Sequence, residues 1–201
     1  MSELKKVNLF AGRFQPFHSG HLQCCEDAYK ENGLPVVIMY IHNDKFDSKK
    51  PFDDTIIERE LEIIRKNYNF IEAVLWLRLP QPVRMCRVLQ EEGYQPVLWL
   101  SGEDRIDNYK KMLNKSACDK IENELNMQVP ELYQTNRYSS ATAVRQAIKD
   151  DNKDEYIKLM PKGTDILYDE FKEQINMVKE NKHIVKYNMK NLTEYLSENI
   201  K

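Results

Sequence analysis

The stretch Val7-Asn8-Leu9-Phe10-Ala11-Gly12-Arg13-Phe14-Gln15-Pro16-Phe17-His18-Ser19-Gly20-His21 decides the fold. Val7, Leu9, Phe10 and Ala11 form an apolar run that reads as a buried strand. A glycine turn follows, and the chain then takes helical periodicity from Leu22 to Lys30. Strand, glycine turn and helix start together make an anion-binding arrangement, because backbone N–H groups and the positive end of the helix dipole face the turn. His18 and His21 stand three residues apart, on one side of the first helical turn. Both can therefore reach one phosphate chain, and beside phosphate their pKa values are expected to rise.

Further along, apolar runs alternate with helical stretches. Strands are expected over Val7–Ala11, Val36–Ile41, Ala73–Leu77 and Val97–Leu100, with a weaker one near Met127–Tyr133. Helices are expected around Leu22–Lys30, Thr55–Asn67, Val83–Glu92 and Ile106–Leu113. In Thr55–Asn67 the residues Ile57, Leu61 and Ile64 form one stripe. Continuous apolar strands joined by helices predict an α/β fold: a doubly wound, Rossmann-like, mostly parallel five-stranded sheet covered on both faces. Such sheets bind ligands outside the carboxyl ends of their strands, which is where the His18–His21 segment falls. The GxGxxG fingerprint of dinucleotide-binding dehydrogenases is missing. Pro161 and Gly163 mark a boundary between a domain over 1–163 and a helical C-terminal extension over 164–201. The extension carries two stripes, Leu167, Phe171, Ile175, Val178 and Val185, Met189, Leu192, Leu196, suited to packing on the core or on a neighbouring subunit of a homo-oligomer.

Composition narrows the function. A net charge of −2 lacks the basic excess of a nucleic-acid binder. Cys24, Cys25, Cys86 and Cys118 form no CxxC, so neither a zinc knuckle nor a redox pair is indicated. Cys24 and Cys25 read as buried thiols on a helix. No apolar run approaches the roughly 20 residues of a membrane span, and no signal-peptide core opens the chain. A cytoplasmic protein without a membrane partner is expected.

GRFQPFHSGH resembles the first signature of the HxGH nucleotidylyltransferases, and its spelling is closest to nicotinamide mononucleotide (NMN) adenylyltransferases of the archaeal and bifunctional bacterial kind. Tyr138-Ser139-Ser140-Ala141-Thr142-Ala143-Val144-Arg145 is similar to the second signature of that superfamily, ISSTxxR, at the expected place late in the domain. The resemblance covers residues 7 to 160. It implies an enzyme that transfers AMP from ATP, with Mg²⁺ bridging the triphosphate, to a phosphorylated acceptor, releasing pyrophosphate; NMN is the first acceptor to consider. Other acceptors within the superfamily are phosphopantetheine and sugar or polyol phosphates, with AMP or CMP transferred. A catalytically silent nucleotide-sensing module is the alternative from another class.

The chemistry says which residue types to seek. A phosphate monoester is already ionised at neutral pH, so no base is needed to make the nucleophile. The enzyme must hold anions against their repulsion and stabilise charge on phosphorus and the departing pyrophosphate. The resemblance assigns His18 and His21 to the phosphates and Arg145 to the leaving group, as the catalytic set. Arg13 can reach phosphate bidentately from the turn. Phe14, Pro16 and Phe17 shape the turn and wall the pocket, and Gly12, Phe14 and Gly20 join Arg13 in the nucleotide-binding set. Ser139 or Ser140 reads as an N-cap, and Thr142 and Arg145 share a helix face. Ser101-Gly102-Glu103-Asp104-Arg105 resembles the loop bordering base and ribose. There Gly102, Asp104 (to ribose or a Mg²⁺-bound water) and Arg105 (to phosphate) are candidates; a capped helix start is the alternative. Arg59 and Trp76 are candidates for the acceptor; the alternatives are an arginine paired with Glu58 or Glu62 and a tryptophan in the core. Trp99 reads as core. No protein metal-ligand set is evident.

Overall fold

Residues 3–42, 47–103, 105–136 and 138–178 are described by the computed structural model. Five strands, β1 (Lys5–Gly12), β2 (Val36–Ile41), β3 (Ile71–Leu77), β4 (Tyr94–Gly102) and β5 (Glu131–Thr135), form one parallel sheet in the order β3-β2-β1-β4-β5. From β1 the chain moves outward to β2 and β3, then returns past β1 to β4 and β5. The order reverses between β1 and β4, so the ligand crevice of such a sheet opens where Gly12 and Gly102 end those strands.

Alternating side chains build two cores. Phe10, Val36, Ile38, Tyr40, Leu98 and Leu100 face α1 (Ser19–Asn32), α2 (Asp54–Asn67), α6 (Ala141–Lys149) and α7 (Lys153–Leu159). Leu9, Ala11, Val37, Met39, Ile41 and Trp99 face the other way, towards α3 (Pro82–Glu91) and α4 (Ile106–Met112). Every residue of β2 is buried, which accounts for its unbroken apolar sequence. Between α4 and β5 a short helix, α5 (Lys115–Asn123), packs Ile121 against Cys86, Leu125 and Met127.

The strand ends differ from expectation for identifiable reasons. β4 begins at Tyr94, before Pro96, because the register shift between Val7 and Asn8 lets a residue without an N–H sit in a central strand. β5 starts at Glu131 instead of near Met127: Met127 and Val129 pack with α5 and not in the sheet. α1 begins at Ser19, capped by His18, three residues ahead of the periodic run.

After Pro161 the chain passes through a 3-10 turn, Thr164–Leu167, into a helix over 168–178, here α8. Leu167, Phe171 and Ile175 are buried in the core that α2 and α7 share, with the Phe171 ring edge-on to Phe52 at 4.5 Å. The second stripe, Val185 to Leu196, lies outside the described residues, and no described helix is long and apolar enough to cross a membrane.

Candidate functional site

The loop between β1 and α1 is held from below by α2. The Gln15 side chain bonds both backbone groups of Phe52, donating to its carbonyl at 3.0 Å and accepting from its N–H at 3.1 Å. The Phe17 N–H donates to Glu60 Oε2 at 3.0 Å. Phe14 takes a positive φ of 31° and turns its ring inward, 5.4 Å from Phe10 and 5.0 Å from Phe17. Gly12 has no Cβ to block that ring, which would stand 2.7 Å from one.

The two imidazoles cap the helix reciprocally. His18, as N-cap, accepts from the Gly20 N–H at Nδ1 (3.1 Å), and His21 Nδ1 accepts from the His18 N–H (3.3 Å). With both Nδ1 atoms accepting, a neutral ring carries its hydrogen on Nε2. The rings stack at 3.8 Å with 22° between planes, and Phe10, Phe14 and Phe17 surround His21 at 5.2–5.7 Å. Burial, then the neighbouring His18, hold His21 well below the usual imidazole range. Neutral His21 is a hydrogen-bond donor and not a cation. The Gly20 N–H, one of the groups the sequence offered to an anion, is already bonded to His18 and Ser139.

The second signature meets the first here. Ser139 Oγ lies 2.9 Å from His18 Nδ1 and accepts from the Gly20 N–H at 3.1 Å. A Cβ on Gly20 would stand 2.5 Å from Ser139 Oγ and 2.8 Å from its nitrogen, so only glycine fits. Two more bonds stitch the preceding residues to α1: the Cys24 thiol to the Asn136 carbonyl, and the Tyr138 hydroxyl to Asp27. Ser140 is the N-cap of α6 and accepts from the Ala143 N–H. One turn on, Arg145 Nη1 donates to the Gln15 carbonyl at 2.6 Å and Nη2 to Thr142 Oγ1 at 3.1 Å. Burial lowers the Arg145 pKa, and nearby Asp47 opposes that shift.

The remaining candidates are dispersed. Arg13 is exposed, with no hydrogen-bond or ion-pair partner among the described residues. Gly102 ends β4 beside β1, and Arg105 is the N-cap of α4; Asp104 lies outside the described residues. Arg59 pairs with Glu170 of α8, not with Glu58 or Glu62. Trp76, at the carboxyl end of β3, stands edge-on to Tyr40 at 5.2 Å, two strands from β1. Trp99 is buried and stacks on Tyr109 at 4.5 Å. Sequence reading missed a cluster beside Trp76: Asp54 accepts from the Tyr40 hydroxyl at 2.6 Å and lies 2.8 Å from His42 Nδ1. Its only signal was that His42 directly follows a parallel strand. A groove of about 770 Å³ between α3 and α5 includes no residue of either signature.

No cluster of three His, Cys, Asp or Glu that could hold a metal occurs among the described residues. The donors gathered at the loop are N–H, O–H and guanidinium groups, which suit an anion. A divalent ion fits here only as part of a metal–nucleotide substrate.

The family model described as cytidylyltransferase-like matches residues 9–200. No curated protein matches the sequence. Among solved structures, a bifunctional NMN adenylyltransferase/ADP ribose pyrophosphatase from Francisella tularensis, complexed with AMP and a manganese ion, is similar at 19% identity and a TM-score of 0.57. The match covers 94% of this chain and 56% of that one, so this chain spans little more than half of that relative. A nicotinic acid mononucleotide adenylyltransferase from Plasmodium falciparum, complexed with NaAD, matches at 15% identity and 0.54, covering 82% and 98%. Thermotoga maritima TmcAL, bound with alpha-thio ATP, matches at 15% and 0.51, covering 89% and 56%. At these identities the likeness is one of fold.

Proposed function

We infer that this chain, which belongs to the cytidylyltransferase-like family, is a nucleotidylyltransferase that moves AMP from MgATP to a phosphorylated acceptor, with NMN the acceptor and NAD the product. The observation that carries this reading is the junction of the two signatures. Ser139 bonds His18 and Arg145 bonds the Gln15 carbonyl, so two imidazoles, a guanidinium and two helix starts converge beside the β1–β4 crevice.

In this reading the triphosphate lies across the starts of α1 and α6. An oxygen of the acceptor phosphate attacks the α-phosphorus; the new P–O bond forms as the bond to the β-phosphate oxygen breaks. The electron pair leaves with pyrophosphate, and no proton need move. The Nε2–H groups of His18 and His21 donate to phosphate oxygens, and Arg145 stabilises charge on the leaving group. A neutral His21 suits this role, because a donor that carries no charge near neutral pH needs no proton uptake as charge shifts. Mg²⁺ enters with the nucleotide and neutralises its phosphates. Arg13, Gly102, Asp104, Arg105, Ser140 and Thr142 contribute to nucleotide binding. Trp76 offers a ring face to the acceptor, and the Arg59–Glu170 pair leaves Arg59 the weaker of the two acceptor candidates. The relatives named for NMN or nicotinic acid mononucleotide support a pyridine mononucleotide as acceptor, and the first of them favours NMN.

The test is pyrophosphate release by purified protein with MgATP and a panel: NMN, nicotinic acid mononucleotide, phosphopantetheine, and sugar and polyol phosphates. Release with NMN is expected. Release with a different acceptor alone corrects the substrate, and ATP binding without pyrophosphate from any acceptor overturns the enzyme reading in favour of a nucleotide sensor.

A further inference from the structure

Glu60 lies in the middle of α2 with none of its surface exposed. Its Oε2 accepts the Phe17 N–H at 3.0 Å, and its Oε1 has no hydrogen-bond partner among the described residues. Burial pushes its carboxyl well above the usual range, and the Phe17 N–H offsets this only in part. Ile56, Ile57 and Ile64 lie one turn away on its helix and are buried, and the Tyr156 side chain, whose hydroxyl donates to the Thr164 carbonyl, is within electrostatic reach. A leucine would fill such a space without desolvating a carboxyl, so core packing gives no reason for an acid here. The position of its bond does give one. Phe17 immediately precedes His18, the cap on which the stacked imidazoles depend, and the segment leading into α2 already grips the same loop, Phe52 bonding Gln15.

We propose that Glu60 is a positioning residue: by accepting the Phe17 N–H it fixes the backbone entering the His18 cap, and so sets the direction of both imidazoles. The inference deepens the nucleotidyl-transfer reading, and its effect on turnover rests on that reading.

Two substitutions test it. Glu60→Gln keeps an uncharged acceptor of the same length, and Glu60→Leu removes it. The expected result is that Glu60→Gln retains wild-type kcat, whereas Glu60→Leu loses about a hundredfold in kcat with a smaller change in KM for ATP. Amide exchange over residues 14–21 should rise about tenfold in Glu60→Leu alone. Wild-type kcat per folded molecule together with unchanged exchange in Glu60→Leu would overturn the proposal. Should that variant fail to fold, the Phe17 amide of the wild-type protein decides: slow exchange supports the bond, and exchange at the rate of an unbonded amide refutes it. If the wild-type protein releases no pyrophosphate, the transfer reading falls, and the exchange comparison still decides whether Glu60 holds the loop.

Discussion

Gly20→Ala is the sharpest probe of the junction, because two effects of opposite sign compete at one atom. In most helices this change is favourable, by up to about 1 kcal/mol. Here the new Cβ starts 2.5 Å from Ser139 Oγ and 2.8 Å from Ser139 N, whereas ordinary contact begins at 3.4 Å. The segments must part by about 0.9 Å at the oxygen and about 0.6 Å at the amide. Overpacking of this kind costs about 1–3 kcal/mol. The separation also stretches two bonds that now measure 3.1 and 2.9 Å, Gly20 to Ser139 and Ser139 to His18. Each is worth about 1 kcal/mol. The clash therefore wins over propensity, leaving a net loss of about 2 kcal/mol and a fall in Tm of about 4–8 °C for a chain of this size. Because His18 turns with its cap, turnover should fall about a hundredfold. Scanning calorimetry and pyrophosphate release read the two effects separately. Adding Ser139→Ala removes the closer contact and leaves the backbone one, so recovery should be partial. A Gly20→Ala protein as stable and as active as wild type would refute the contact between the two signatures.

Three further outcomes follow from the same geometry. His21→Asn retains an acceptor for the His18 N–H and loses the Nε2 donor, so turnover should fall about 10²–10³-fold with the fold intact. Since His21 titrates below its unfolded value of about 6.5, wild-type stability from this group is complete above that pH. It declines as pH falls towards the folded pKa; Tm between pH 8 and 5 should show a slope that His21→Asn lacks. Arg145→Lys keeps the charge and loses the two-point grip on the Gln15 carbonyl and Thr142. A fall in kcat/KM for ATP of about a hundredfold, roughly 2.7 kcal/mol, is expected, and normal steady-state kinetics would remove Arg145 from its role.

The strands that carry the site were readable because residues 7–11 of β1 and the whole of β2 are buried, and such largely apolar runs admit few other readings. The Ser140 cap and the helix behind it were readable because hydroxyl capping is local chemistry. β5 was legible as a strand but not in its bounds: it lies at the sheet edge, four of its five residues are exposed or half-exposed, and the nearby apolar Met127 belongs to another core. α5 and α7 stayed hidden because each is short and buries a single residue of its own, Ile121 and Tyr156. Glu60 was invisible for the opposite reason, since an acid in a run of charged helix residues reads as solvated. The bond between Ser139 and His18 spans 121 positions, and nothing local to either residue encodes it.

That span has a consequence for biosynthesis. A ribosome completes Gly12 to His21 long before it reaches Ser139, and at about 5–20 residues per second the wait is on the order of ten seconds. Until then His18 lacks its serine partner and the Gln15 carbonyl lacks its arginine. In the proposed reading the nucleotide site is therefore among the last features to mature, so that a half-made chain holds no ATP.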